Sequence, residues 1–316
     1  MEENKNKMTD LPFHIEGSLS KLFIGADVIK RKDHNEIKFL VDKLIPRGTL
    51  CALVGESDTG KSSLLRQLAV SIVYGDSDFL GFKLDDSCRN VIYVSTEDGE
   101  MATSAWLNKY FGEEVANDSR LSKLKYLYET DGIIKNLNDV VKSNCVDLII
   151  IDSYADLFNG SMNNSNEVRF FLNAYNQIAI KYGVTVIFLH HTKKNTSGTV
   201  PNKNSILGSQ GFEAKMRSVL MLTQDEVEKS LRHLCVVKNN YLADKAKSES
   251  YILKFNDHLA FENTGDRIEL DKIVYQDWIE DAMDMREKGL SYRMISERLK
   301  EDGYNVSKSV LQRKLS

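Results

Sequence analysis

Apolar residues in this chain gather in short uninterrupted runs. Thr49–Val54, Asn90–Val94, Val146–Ile151 and Val184–Leu189 each read as a continuous strand, and Leu124–Tyr128 reads as a shorter one. Runs without polar alternation imply burial on both faces, the signature of a parallel sheet covered by helices. Helical spacing fills the gaps: Leu64, Leu65, Leu68 and Ile72 recur along 62–74, and helices are predicted at about 99–111 and 166–182. Three later runs, at 219–222, 233–237 and 251–255, follow one another without helices and are predicted to extend the sheet in antiparallel fashion. The predicted fold class is therefore α/β, a mainly parallel central sheet with helices on both faces and antiparallel strands added at its C-terminal side.

The pattern changes after about Asp266. An acidic amphipathic stretch, Lys272–Met285, precedes Gly289, a helix-ending residue, and Ser291, a suitable N-cap for a helix carrying Ile295 and Leu299. Ser307 caps a last helix with Val310, Leu311 and Leu315. The boundaries read as a frayed terminus at 1–12, a large α/β domain at 13–270 and a small all-α domain at 271–316. Lys193–Ser205 is the one long loop inside the large domain, and such loops often carry function.

Composition narrows the class. The 316 residues suit one large domain plus a small one, and 42% hydrophobic content excludes wholesale disorder. No apolar run approaches the ~20 residues that cross a bilayer, and MEENKNKMTD is no signal peptide. A cytoplasmic protein with no membrane partner is expected. Cys51, Cys88, Cys145 and Cys235 form no CxxC pair and read as reduced core residues rather than a disulfide framework or zinc site. A net charge of −4 argues against a nucleic-acid partner until it is divided. Residues 286–316 hold eight Lys+Arg against four Asp+Glu, a local +4 that leaves −8 for 1–285.

Chemistry concentrates at the strand ends. Gly55-Glu56-Ser57-Asp58-Thr59-Gly60-Lys61-Ser62, followed by Ser63, matches G-x-x-x-x-G-K-[ST] between a buried strand and a helix. In such a loop the glycines let backbone N–H groups face phosphates, the lysine reaches the terminal phosphates and the serine ligates magnesium. ATP and Mg2+ are the expected ligands. Asp152 ends the strongest strand and fits the second magnesium-site position, with a helix N-cap as the compatible alternative. Glu97, in Ser95-Thr96-Glu97-Asp98, is the candidate base for an attacking water, with Asp98 or simple helix capping as alternatives. His190-His191 closes another strand, where a polar residue can touch the γ-phosphate. A metal role for this pair lacks a third ligand at plausible spacing.

These segments resemble the RecA-like ATPases and, within them, the RepA-type hexameric helicase family (the AAA_25 group). The resemblance spans roughly 36–258 and rests on LVDKLIPRGTLCALVGESDTGKSSLLRQLA, FLGFKL, NVIYVSTEDGE, VDLIIIDSYADLF, VTVIFLHHTKK, LGSQGFEAKMRSVLML and VVKNNY in that order. It implies Glu97 as catalytic glutamate, Asp152 as the Walker B aspartate and His191 as γ-phosphate sensor. It also implies a homo-oligomeric ring, a hexamer in this family, in which a neighbouring subunit supplies a basic finger from Arg217 or Lys238. Asn240 stands where DnaB-type relatives carry an arginine. By the same resemblance Lys193, Lys194 and Lys203 would contact single-stranded DNA in a central channel. The terminal segment resembles the helix-turn-helix of resolvases, which would give Lys308, Ser309, Gln312 and Arg313, with Lys314, to duplex DNA. Two functions are expected to compete: an ATP-hydrolysing DNA motor in replication of a plasmid, phage or mobile element, and an ATP-dependent DNA-binding regulator or assembly factor.

Overall fold

Strands that carry no polar face must be covered on both sides, and that requirement organises the structure. The computed structural model describes residues 25, 36–112, 118–193, 199–208, 210–225, 228–273, 278–302, 304 and 306–315, with the side chains of Glu280, Val310, Arg313 and Lys314 outside the description. The predicted frayed terminus 1–12, Lys194 and the side chain of Arg313 thus lie outside the described residues. The chain divides into compact units at 1–37 and 38–316, and the elements that follow belong to the second.

A hairpin of β1 (Phe39–Val41) and β2 (Ile45–Pro46) leads into β3 (Leu50–Gly55) and helix α1 (Lys61–Tyr74). A second hairpin, β4 (Asp78–Phe79) and β5 (Phe82–Lys83), precedes β6 (Val91–Ser95) and α2 (Glu100–Phe111). Then come β7 (Leu124–Leu127), α3 (Ile133–Ser143), β8 (Leu148–Asp152), the single turn α4 (Tyr154–Leu157), α5 (Ser165–Tyr182) and β9 (Thr185–His191). Helix α6 (Gln210–Lys215) introduces β10 (Ser218–Gln224), β11 (Leu231–Asn239), β12 (Glu249–Phe255) and β13 (Phe261–Glu269). The chain closes with α7 (Trp278–Glu287), α8 (Tyr292–Glu301) and α9 (Lys308–Lys314).

Among the described residues, nine strands form one sheet in the order β13-β12-β11-β10-β3-β9-β8-β6-β7. The pairs from β10 through β7 are parallel, and those from β10 to β13 are antiparallel. Successive residues of a strand face opposite sides, so each strand feeds two cores. Cys51, Leu53, Leu148 and Ile150 pack with Leu64, Leu65, Leu68 and Trp106 of α1 and α2. Ala52, Val54, Ile149 and Ile151 pack with Leu137 of α3, Leu172 and Tyr175 of α5 and Phe212 of α6. Register then decides function: Gly55 pairs with His191, and Ser95 pairs with Asp152. The chemically interesting ends of four strands therefore lie on one edge of the sheet.

Several elements depart from the sequence reading. Strand β10 pairs in parallel with β3 and antiparallel only with β11, so it joins the two halves of the sheet instead of belonging to the antiparallel set. Helices α3 and α6 and strand β13 were not expected. In α3 only Ile133, Leu137 and Val141 are buried within a polar sequence, and in β13 only Phe261 is. Cys51, Cys88 and Cys235 are buried free thiols, but Cys145 is exposed in the connection that follows α3. Helix α7 falls largely within the amphipathic stretch Lys272–Met285, of which residues 274–277 lie outside the described residues. Ser291 caps α8 by accepting from Met294 N at 3.3 Å. Helices α7 to α9 close on their own small core of Trp278, Ala282, Ile295, Leu299, Val306 and Leu311.

A core that small tolerates no cavity. Leu299→Ala is expected to cost about 2–5 kcal/mol within this three-helix cluster while the main melting transition stays in place. Trp278 fluorescence in a Trp106→Phe background reports the first, and far-UV circular dichroism the second. Loss of both transitions together would contradict separate cores.

Candidate functional site

The loop after β3 is shaped by close approach. A Cβ added to Gly55 would lie 2.3 Å from the carbonyl oxygen of Leu222 in β10, a backbone atom that cannot swing aside. Gly60 has φ +91, and its Cβ would lie 2.7 Å from Cζ of Phe261. Only glycine satisfies either position. Between them Asp58 takes a left-handed conformation, φ 61, which Asp tolerates better than most residues. Thr59 Oγ1 donates to Glu56 O at 3.0 Å and closes the curl. The antiparallel strands brace it. Arg232 Nε donates to Thr59 O at 3.0 Å, and Gln67 exchanges hydrogen bonds of 2.9 and 2.8 Å with the backbone of Phe261.

Lys61 opens α1 and is buried; its Nζ donates to Glu56 O at 2.5 Å, within the loop. Burial lowers its pKa, while Asp152, Glu97, Asp58 and Glu56 act in the opposite direction. A phosphate entering the loop would give this cation a closer counter-charge than those side chains do.

Asp152 ends β8 and is 2% exposed. Burial raises its pKa above the usual carboxylate range, against hydrogen bonds from Tyr93 and Ser62 and the charge of Arg66, and Glu97 adds to the rise. Tyr93 OH donates to Asp152 Oδ2 at 2.6 Å, whereas buried Oδ1 has no hydrogen-bond partner. A buried carboxylate oxygen left open beside a serine hydroxyl suits a hard cation, so the donor set fits magnesium completed by phosphate oxygens. Ser153, not Asp152, is the N-cap of α4, which removes the capping alternative.

Glu97 is exposed and lies in the electrostatic reach of Lys61, Asp152 and His191. Asp98, its rival, is engaged: Arg66 Nη2 donates to Asp98 Oδ2 at 2.5 Å. Helix capping does not claim the pair either, because Gly99 is the N-cap of α2. Thr96 ties this loop to β8, with its N 2.7 Å and Oγ1 3.0 Å from Asp152 O, and accepts from Ser153 N at 2.9 Å.

The two histidines divide. His190 is fully buried; its Nε2–H donates to Leu207 O at 3.1 Å, and its ring packs against Tyr154 and Phe212 at 4.8 and 4.7 Å. Burial, with Lys61 and His191, lowers its pKa to about 4 although the Leu207 bond opposes this. His191 is half-buried. Burial and Lys61 lower its pKa against Glu97, Asp156 and Asp152, so it is neutral near neutral pH and faces the charged cluster. Among the described residues no group of three or more His, Cys, Asp or Glu could hold a metal by itself.

This is the arrangement of a nucleotide-binding RecA-like fold, and comparison agrees. The model of the AAA_25 family, described as an AAA domain, matches residues 27–197. The chain belongs to the AAA_25 family. A similar solved structure is the ATPase domain of another protein, at 14% identity and TM-score 0.54, covering 68% of this chain and 84% of that one. Comparison with curated proteins returns no match.

Other expected residues of this AAA_25 chain lie away from the loop. Arg217 N donates to Leu50 O at 2.8 Å, at the opposite end of β3 from Gly55. Five residues of strand put it roughly 17 Å from the loop of its own chain. Arg217 is exposed, whereas Lys238 Nζ is held by Glu213, at 2.8 Å from Oε1 and 2.7 Å from the carbonyl. Lys193 Nζ donates to Asn204 O at 2.6 Å across the base of its loop, and Lys203 is exposed. Lys308, Ser309 and Gln312 are exposed on α9, with Leu311 turned into the helical core. Sequence reasoning missed Arg66, Tyr93, Thr96 and Arg232. The usable signal was a polar group inside a buried run, since such a group needs a partner.

The low pKa of His190 sets a pH window. Below its ordinary 6.5 the unfolded chain takes up a proton that the folded chain refuses until about 4. Stability is therefore full above pH 6.5 and falls by up to about 3 kcal/mol as the pH drops to 4. His190→Gln keeps a donor for Leu207 O but cannot titrate, so urea unfolding at several pH values is expected to show a shallower acid limb. Parallel curves for the two proteins would contradict this.

Proposed function

We propose that this chain is an ATP-hydrolysing DNA motor, a ring-forming replicative helicase of the RepA type serving a plasmid, phage or mobile element. Membership in a P-loop ATPase family supports ATP turnover. The observation that carries the reading is the convergence of Lys61, Ser62, Asp152, Glu97 and His191 on one edge of the sheet, fixed by the Gly55–His191 and Ser95–Asp152 registers.

In this reading the backbone N–H groups of 55–63 and the ammonium of Lys61 hold the phosphates of ATP. Magnesium held by Ser62 and Asp152 would neutralise charge on the phosphate oxygens. Glu97 accepts a proton from a water whose oxygen bonds to the γ-phosphorus. The bond from that phosphorus to the bridging oxygen breaks, its electron pair stays on ADP, and inorganic phosphate leaves. His191, uncharged, senses the γ-phosphate as a hydrogen-bonding group. A further cation would neutralise charge in the transition state. Arg217 suits that role from a neighbouring subunit, being exposed where Lys238 is already held by Glu213. The loop bearing Lys203 would grip single-stranded DNA through its phosphates, without aromatic stacking.

A second reading draws on the separate core of α7 to α9 and the exposed Lys308, Ser309 and Gln312. There α9 reads duplex DNA, and nucleotide controls assembly of a DNA-binding regulator. The two readings differ in strand displacement on a forked duplex, expected only for the motor. Stimulation of ATP turnover by single-stranded DNA with no unwinding would sink the helicase reading.

The finger assignment has its own test. Arg217→Ala is expected to lower turnover about 10³-fold with nucleotide binding retained. Equimolar mixing with Glu97→Gln should restore part of it, because some mixed interfaces then hold both groups. Full activity of Arg217→Ala beside an inactive Lys238→Ala would reverse the assignment.

A further inference from the structure

Arg66 belongs to the phosphate-loop helix and reaches across to β6 and α2. Its side chain is 5% exposed, a costly place for a charge unless something holds it there. Two rings do: the guanidinium carbon lies 5.7 Å from the centroid of Tyr93 and 5.8 Å from that of Trp106. Nη2 meets Asp98 Oδ2 at 2.5 Å, and Tyr93 in turn donates to Asp152 at 2.6 Å. One side chain on α1 therefore reaches both neighbours of the reaction: the residue next to Glu97, and the tyrosine that fixes Asp152.

The geometry points to Arg66 as a positioning residue for hydrolysis, which sets Glu97 against the phosphate loop by clamping Asp98 and sets Asp152 by packing on Tyr93. This rests on the reading of Glu97 as the base. Glu97 is exposed and has no strand to hold it. Of its flanking anchors, Thr96 bonds Asp152 of β8 and Asp156 of α4, and Ser95 Oγ donates to Asp98 O at 2.8 Å, while the Arg66–Asp98 pair ties the loop to the helix that begins with Lys61. Of these bonds, the pair alone joins the loop of the base to the phosphate-loop helix, so without it the distance from base to phosphate is set only through β6, β8 and α4. A base displaced by about 1 Å can lose on the order of a hundredfold in rate. Substrate affinity, set by the loop itself, should hardly move. A purely structural role predicts the reverse pattern, with stability and nucleotide affinity falling together.

The test uses the full chain, with Arg66→Lys, Asp98→Asn and Glu97→Gln measured for ATP turnover and for binding of a non-hydrolysable ATP analogue. Asp98 is 41% exposed, so Asp98→Asn should fold even where Arg66→Lys does not. Each of the two is expected to lower kcat at least about tenfold, with KM and analogue affinity within about threefold of the parent. The double variant should be no slower than the slower single one, since both remove the same clamp. Parental kcat in Asp98→Asn, or losses of kcat matched by losses of analogue affinity, would overturn the inference. Substantial turnover in Glu97→Gln would overturn the underlying assignment of the base instead.

Discussion

Two close approaches shape the phosphate loop: the backbone at Gly55 against the Leu222 carbonyl, and Gly60 against the ring of Phe261. The contacts need β10 and β13 where they are, so the extension of the sheet beyond β3 is part of the phosphate loop's construction. Leu222 lies on the strand joining the parallel and antiparallel halves, and Arg232 hands Thr59 O a buried donor from the next strand. Leaving such a carbonyl unsatisfied would cost about 1–3 kcal/mol, comparable with a sizeable share of a domain's stability. The curl of the loop is thereby braced from outside as well as by its own Thr59–Glu56 bond.

Charge follows from that shape. Helix α1 must start at Lys61, which brings a buried ammonium beside Asp152, Glu97, Asp58 and Glu56. Its counter-ions are arranged unevenly. Asp152 is buried with one oxygen committed to Tyr93 and one open; Glu97 stays in solvent; Asp98 is committed to Arg66. Three neighbouring carboxylates thus have three environments, as the proposed roles of cation ligand, base and clamp require. The same logic divides the histidines, one neutralised and latched to Leu207, the other facing the charges.

Much of this was legible in the chain. The uniform aliphatic runs gave the parallel sheet because nothing in them could face water, and the loop motif fell between a strand and a helix as its chemistry demands. What stayed hidden depends on pairing across distance. Arg232 and Thr59 are 173 positions apart, and no local pattern links them. Strand β13 has mostly exposed residues and reads as polar loop, yet its Phe261 packs against Gly60 of the phosphate loop. Tyr93 and Arg66 looked like ordinary members of a strand and a helix, and only the face each presents reveals its partner. Of the cations behind the tail's local +4, Lys308 stands exposed on α9.

The central claim is that this edge of the sheet hydrolyses ATP. Its most direct measurement is steady-state phosphate release by the full chain and by Lys61→Ala, with and without magnesium. Magnesium-dependent turnover is expected in the parent, with a fall of at least about a hundredfold in the variant, whose circular dichroism is unchanged. Parental turnover in a folded Lys61→Ala protein would contradict it.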